Sequence, residues 1–204
     1  IEACLVGSEM CIRDSYRPRI DMDLLREYSE GLICMSACLK GVVPEKMLKG
    51  DYEGARKEAL LFSEIFQDRY YLEIQNHGIP EEEQNLKNMK KLSQDLNLPL
   101  VCTNDAHYAK KEHWEAHDIH ICLGTGKERS DPNRLRYATP EFYFKTQDEM
   151  HKLFKEFPGA IENTRKIADS IDITLPIGES HLPNFPIPKA VSYTHLTLPT
   201  TYGV

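Results

Sequence analysis

Short apolar runs alternate with longer amphipathic segments through the first half of this chain. Apolar side chains recur at helical spacing in residues 52–66, and they line one face of residues 80–96. The intervening runs have the length of buried strands, and they cover residues 31–37, 69–74 and 98–102. With a short helix at 21–31, the pattern predicts the order helix, strand, helix, strand, helix, strand.

Helix-start signals support these boundaries and extend the prediction toward the end of the chain. Asp21, Asp51 and Thr146 are predicted N-caps, while Pro80 and Pro158 suit the first position of a helix. The later helices are predicted at 112–123, 146–154 and 158–171, with one or two further helical turns at 44–49 and a short strand at 142–144. Residues 182–188 are rich in proline and predict an extended linker.

Strands that alternate with helices of this length are typical of parallel βαβ units, so the predicted fold class is α/β. In such folds functional groups collect where the strands end. Cys38 follows the first predicted strand, His77 follows the second, and Asp105 and His107 follow the third. These residue types bind metals, and their positions predict a metal site that joins neighbouring strands.

Asp105 and His107 are the centre of this hypothesis. Side chains two residues apart on an extended segment point to the same side, so a carboxylate and an imidazole can converge there. The alternative is structural, because Asn-Asp after a strand is common turn chemistry and the histidine can act as a cap. The alignment of three strand ends favours the metal site.

The second half of the chain offers weaker candidates. His113 and His117 share one face of the predicted helix 112–123, but the H-E-x-x-H arrangement is absent and a structural role is favoured. The loop at 124–139 does not have the spacing of a P-loop. Its basic residues either contact phosphate or a partner protein, or are simply solvated; they are Lys127, Arg129, Arg134 and Arg136.

Composition narrows the class of protein. The 204 residues include 25 Lys and Arg against 32 Asp and Glu, which gives a formal charge of −7. That charge disfavours nucleic-acid binding through bulk electrostatics but leaves room for a local basic patch. Six cysteines in a chain of this size fit a reducing compartment better than a disulfide framework. With no apolar stretch of membrane-spanning length, the prediction is a cytoplasmic protein without a membrane partner.

The two ends are predicted not to belong to the natural protein. Residues 1–15 and 190–204 show no period that predicts a buried face, and both resemble translated adapter sequences from sequencing libraries. The prediction divides the remainder at residue 123. Residues 16–123 form the βα units, and residues 124–189 form the end of the domain with a small helical region and an exit linker.

Several motifs in fixed order resemble the family of bacterial replicative DNA polymerase III alpha subunits, which are C-family polymerases. The matching region is the later part of their polymerase-and-histidinol-phosphatase (PHP) domain. The matching segments are 31–41, 71–78, 101–108, 131–136, 141–143, 162–164 and 182–186. A lone D-x-H motif would be weak, but matches across some 160 residues are specific.

The resemblance implies a partial, distorted (βα) barrel with a metal cluster at the carboxyl ends of its strands. Cys38, Asp105 and His107 match metal ligands of that cluster, and Glu73 and His77 match the motif less firmly. The expected metal is zinc or manganese. The family's first histidine ligands have no counterpart here, and neither do the carboxylates that hold magnesium in the polymerase site, so no polymerisation is expected from this segment.

The resemblance implies a parent DNA-directed DNA polymerase, a nucleotidyltransferase that acts on template-primer DNA and deoxynucleoside triphosphates. Its expected partners are replicase subunits, including a proofreading exonuclease and the sliding clamp. Three roles stay open for the PHP region. It is a metal-dependent 3′-5′ exonuclease, a structural module that docks a separate exonuclease subunit, or a stand-alone phosphoesterase.

Overall fold

The computed structural model describes residues 20–174 and residue 178. Contacts divide the chain into two compact units, of which residues 26–173 form one and the flanking stretches form the other. The larger unit contains nearly all of the described elements. Outside the described residues lie the predicted adapter-derived ends and the exit linker.

The described elements follow the predicted order of helices and strands. The helices are α1 Met22–Glu27, α2 Val42–Leu48, α3 Tyr52–Phe66, α4 Pro80–Leu96, α5 Trp114–Thr125, α6 Gln147–Leu153 and α7 Pro158–Ser170. The strands are β1 Cys34–Met35, β2 Tyr70–Ile74 and β3 Leu100–Cys102. Short 3₁₀ turns at Gln67–Arg69 and Lys111–His113 precede β2 and α5. None of the described helices is long and apolar enough to cross a membrane.

The described strands form a parallel sheet in the order β1-β2-β3, which confirms the predicted α/β class. Cys34 pairs with Tyr70, and Leu72 pairs with Leu100. Because all three strands run in the same direction, their carboxyl ends lie at one edge of the sheet. The partial (βα) barrel followed by helices that the resemblance implies agrees with this arrangement.

Helices cover the sheet through side chains that the sequence pattern had marked as apolar. Leu72 and Ile74 of β2 are completely buried, as are Met89 and Leu92 of α4. Burial of each such side chain contributes roughly 1.5–3 kcal/mol relative to exposure. Most charged residues of α4 are exposed, with Glu82 as a buried exception, so the predicted amphipathic helix is confirmed.

The first strand is shorter than predicted. The prediction covered residues 31–37, but only Cys34–Met35 pair as a strand. Gly31 has a φ of 74°, and Arg69 Nη1 donates to the Ser29 carbonyl at 2.6 Å and to the Leu32 carbonyl at 2.8 Å. These bonds hold residues 29–32 in a turn, and Ala37 at a φ of 65° ends the strand.

The last two predicted strands are also reduced. The third begins at Leu100 rather than residue 98, since Pro99 has no N–H to give the sheet and contributes only its carbonyl, which accepts from Leu72 at 2.9 Å. The strand predicted at 142–144 amounts to an isolated parallel bridge between Tyr108 and Tyr143. The bridge joins the residues that follow the loop at 124–139 to the residues that follow β3.

Candidate metal centre

Glu73 lies in a polar network where β2 and β3 end. Its Oε1 atom accepts a hydrogen bond from Gln75 Nε2 at 3.1 Å and another from the Thr103 hydroxyl. Gln75 also donates to Thr103 Oγ1 at 3.0 Å. The pairing of two parallel strands therefore fixes the carboxylate, with one of its oxygens already used by the protein.

Cys38 and Glu73 line the same small cavity. Gln75, Glu82 and Asn85 also border this space, whose volume is about 10 Å³. That is close to the room needed for one water molecule. The Asn85 Oδ1 atom is buried without a hydrogen-bond partner among the described residues. The thiol of Cys38 is exposed, whereas burial raises the pKa of the Cys34 and Cys102 thiols to about 11.

Asp105 and His107 form a second pair, as their spacing predicts. The Asp105 Oδ1 atom lies 3.4 Å from His107 Nε2, and both side chains are partly exposed. Asp105 has a φ of 44°, a left-handed conformation that is uncommon for a residue with a side chain. The His107 amide donates to the Phe142 carbonyl at 2.8 Å, so the bridged segment holds this turn in place. Backbone strain of this kind is concentrated at functional sites.

His107 lies among aromatic side chains from later in the chain. The Tyr137 hydroxyl oxygen lies 3.2 Å from each nitrogen of the His107 ring. The His117 ring centroid, on α5, is 6.0 Å from that of His107. Burial lowers the pKa of His117, and the nearby His107 and His120 lower it further. No local sequence signal marks Tyr137, because it is 30 residues away from His107 along the chain.

His77, the less certain candidate, is buried and fully engaged by the protein. Its Nδ1 atom lies 2.7 Å from Glu82 Oε1, and its Nε2 atom lies 2.9 Å from the Asn104 carbonyl. The ring stacks on Phe142 with centroids 4.1 Å apart. In this arrangement neither ring nitrogen is open to an ion. Burial opposes ionisation of Glu82, but the hydrogen bonds from His77 outweigh it and hold the pKa of that carboxyl below its ordinary value.

The described residues do not by themselves fit a complete metal site. Thiolate, carboxylate and imidazole are suitable zinc ligands. Within residues 20–174, however, no group of three or more His, Cys, Asp and Glu side chains is arranged to hold an ion. Cys38 and Glu73 share one cavity, whose lining includes neither Asp105 nor His107. Of the five predicted ligands, Cys38 and Glu73 line one cavity, Asp105 lies beside His107, and His77 belongs to neither arrangement.

Most of the basic side chains of the loop are neutralised within the protein. Arg134 binds both oxygens of Asp118 on α5, and these hydrogen bonds hold the pKa of the Asp118 carboxyl below its ordinary value. Arg129 also pairs with Asp118 at 3.3 Å, and Lys127 pairs with Asp131 at 3.0 Å. Arg136 is exposed. The loop is therefore a structured, internally paired segment, and its contact with phosphate or a partner stays a prediction.

Comparison with known proteins connects this chain to a family. The sequence profile of the PHP domain matches residues 4–77. That match overlaps the end that we predict to be adapter-derived, and the adapter assignment stays a prediction.

Curated relatives agree with the profile match. The chain is 46% identical over 191 residues to DNA polymerase III subunit alpha of Borreliella burgdorferi, and 42% identical over 178 residues to that of Treponema pallidum. A third relative, from Campylobacter jejuni, is 39% identical over 191 residues. The alignments cover 90%, 87% and 88% of this chain but only 16%, 15% and 16% of those proteins. The chain belongs to the DNA polymerase III alpha subunit family and represents part of its PHP region.

Proposed function

We propose that the parent protein is a DNA-directed DNA polymerase of bacterial replication, and that this chain is a structural module within it. The observation that carries the first part is the 46% identity to a DNA polymerase III alpha subunit over 90% of this chain. The parent's template-primer DNA, deoxynucleoside triphosphates and magnesium belong to the same proposal, as do its cytoplasmic location and its replicase partners, including a proofreading exonuclease and the sliding clamp.

The hydrogen bonds of Glu73 and His77 support a structural role for these two predicted ligands. Glu73 uses one carboxylate oxygen in the network that joins β2 to β3. His77 uses both ring nitrogens to attach β2 to α4 and to the segment after β3. Side chains with such partners stabilise a fold.

A second candidate function is a metal-dependent 3′-5′ exonuclease or other phosphoesterase of the complete domain. The observation in its favour is the left-handed backbone of Asp105 beside His107 at the carboxyl edge of the sheet. For this function, Cys38, Asp105 and His107 would supply part of a zinc or manganese ligand set. Donors from outside the described residues would have to complete it.

Metal content and nuclease activity, measured on the same purified samples, separate these functions. The samples are the complete PHP region of the parent protein, its Asp105→Asn/His107→Ala double variant and its His151→Ala variant, which changes a histidine outside the predicted ligands. For a structural module, we expect substoichiometric zinc and manganese and no cleavage of single-stranded DNA in all three. A stoichiometric metal that the double variant loses, together with DNA cleavage, would overturn the structural proposal in favour of the nuclease.

The polymerase parentage has its own test. The gene that encodes the natural form of this segment is recovered with its flanking sequence, and the full protein is assayed for extension of a primed template. We expect magnesium-dependent incorporation of deoxynucleotides. A full-length protein without such activity, or a reading frame without a polymerase domain, would leave a stand-alone phosphoesterase as the alternative.

A further inference from the structure

The loop between α5 and Tyr137 is attached to α5 by a nearly buried ion pair. Arg134 Nη1 donates to Asp118 Oδ1 at 2.6 Å, and Nη2 donates to Oδ2 at 2.8 Å. The Arg134 side chain is only 5% exposed. It also donates from Nε to the Arg129 carbonyl at 3.0 Å and from Nη1 to the Leu135 carbonyl at 3.2 Å. One guanidinium thus fixes the path of the loop on both sides of itself.

Three residues later, the loop brings Tyr137 against the Asp105–His107 pair. The Tyr137 ring centroid lies 4.7 Å from that of His107 and 4.6 Å from that of Phe142. It also contacts His117 of α5, at 5.4 Å between centroids. Two residues after Tyr137, the Thr139 hydroxyl donates to the His77 carbonyl at 2.7 Å. Tyr137 is therefore held between two anchored points of the loop.

We infer that the Asp118–Arg134 ion pair positions Tyr137, and that Tyr137 in turn sets the orientation of the His107 ring. The loop then forms one wall of the Asp105–His107 site. This assignment gives Arg134 a structural role. Neither the metal hypothesis nor the proposed polymerase parentage accounts for this residue. It concerns the Asp105–His107 site of the second candidate function, but it rests on the ion pair and the ring contacts and not on that function.

The chemistry of Arg134 explains why a lysine cannot replace it in this role. A planar guanidinium binds both carboxylate oxygens at once and still has donors for two backbone carbonyls. A lysine ammonium keeps the charge but loses this fork geometry. Arg134→Lys is accordingly a conservative change in charge that releases the loop, and Tyr137→Phe removes only the hydroxyl next to His107.

The test is the side-chain NMR spectrum of His107 in the 204-residue chain. Tyr137→Phe is expected to shift the His107 imidazole ¹H and ¹³C signals, and Arg134→Lys to shift them as well. The control Arg165→Lys changes an exposed pair with Asp169 on α7. It should leave the His107 signals in place, and the His151 ring serves as an internal reference in every spectrum. Circular dichroism and thermal unfolding verify that each variant is folded.

A double variant distinguishes positioning from a general loss of structure. In a Tyr137→Leu background, Arg134→Lys should cause no further shift of His107, because the residue through which it acts has been removed. Unchanged His107 signals in Tyr137→Phe would overturn the inference, even if Arg134→Lys failed to fold. So would an Arg134→Lys shift that is equally large with and without Tyr137. Neither result depends on metal binding or on polymerase activity, so failure of the proposed function is distinguishable from failure of this inference.

Discussion

At the scale of single residues, burial and partners decide what a histidine or a cysteine does. His77 and His107 both follow a strand, yet His77 is 1% exposed with both nitrogens bonded, whereas the His107 side chain is 34% exposed. Cys102 is buried with a raised pKa, whereas Cys38 is exposed. Of these residues, only His107 and Cys38 are accessible to an ion or a reagent from solvent.

Removal of Glu82 should destabilise the protein strongly. Glu82 accepts from the His77 backbone amide at 2.5 Å and binds its ring Nδ1, all in a buried location. Glu82→Ala leaves both groups without a partner, so we expect a loss of roughly 2–4 kcal/mol in the free energy of unfolding. Urea titration measures it. Glu83→Ala, at an exposed position of the same helical turn, should change stability by less than about 0.5 kcal/mol. Equal effects in the two variants would contradict this role of Glu82.

The Glu82 carboxyl should also contribute to the loss of stability at acidic pH. The pKa of Glu82 is lower in the folded state than in the unfolded chain, so the unfolded state binds the proton more readily. Its contribution is complete above the ordinary glutamate pKa, about 4.3, and is lost as pH falls through the lower folded value. Glu82→Gln should therefore flatten the dependence of unfolding free energy on pH below that point. The free energy of unfolding is measured by urea titration at several acidic pH values. If its dependence on pH is the same in Glu82→Gln, other carboxyls account for the acid sensitivity.

At the scale of elements, local signals in the sequence fix helix starts better than strand lengths. Thr146 was a predicted N-cap, and the structure adds the reciprocal half of a capping box, in which Glu149 accepts from the Thr146 amide at 2.8 Å. The Tyr143 hydroxyl also donates to Glu149 at 2.6 Å, and these bonds lower the pKa of Glu149 to about 2. The edge of β3 depends instead on a distant element, because Asn163 of α7 donates to the Leu100 carbonyl at 2.8 Å.

Thr146→Ala should destabilise the protein through the loss of the α6 cap. Replacement of a threonine N-cap by alanine typically costs about 1 kcal/mol, and thermal or urea unfolding measures the change. Thr164→Ala is the matched control, since it removes the same atoms from an exposed position inside α7, where the hydroxyl bonds only to the Ile161 carbonyl. If Thr164→Ala is destabilised as much as Thr146→Ala, the N-cap does not account for the loss of stability.

At the scale of the whole molecule, residues 26–173 form one compact unit that includes the loop and both later helices. The predicted division at residue 123 falls inside this unit and stays a prediction. The chain spans about a sixth of the length of the curated relatives it matches. The proximity of Asp105 and His107 follows from contacts within the unit, whereas the family follows from alignment.

Deletion of both predicted adapter-derived ends should leave the fold intact. We expect a chain of residues 16–189 to have the circular dichroism spectrum of the 204-residue chain and a Tm within about 2 °C of it, since loss of 1 kcal/mol would lower the Tm of a domain of this size by about 2–4 °C. Differential scanning calorimetry makes the comparison. A larger drop would show that residues 4–15, which the PHP profile match includes, contribute to the structure.

The sequence by itself determined the features that depend on neighbouring residues. The amphipathic period placed α3 and α4, and Asp51 was a predicted N-cap whose Oδ1 accepts from the Gly54 amide at 2.9 Å. The alternation of elements predicted a parallel sheet, since crossover helices join parallel strands. The spacing of Asp105 and His107 predicted that they come together, and they do, but through a turn with a left-handed Asp105 rather than through the extended backbone that the prediction assumed.

Only the tertiary structure decided how distant side chains meet. It showed that Arg69 restricts β1, that Glu82 occupies His77, and that Arg134 and Tyr137 reach α5 and His107. It also placed Cys38 and Glu73 at one cavity whose lining includes neither Asp105 nor His107. These outcomes depend on hydrogen bonds and packing between segments tens of residues apart, and a one-dimensional pattern of polar and apolar positions contains no information on which of those segments touch.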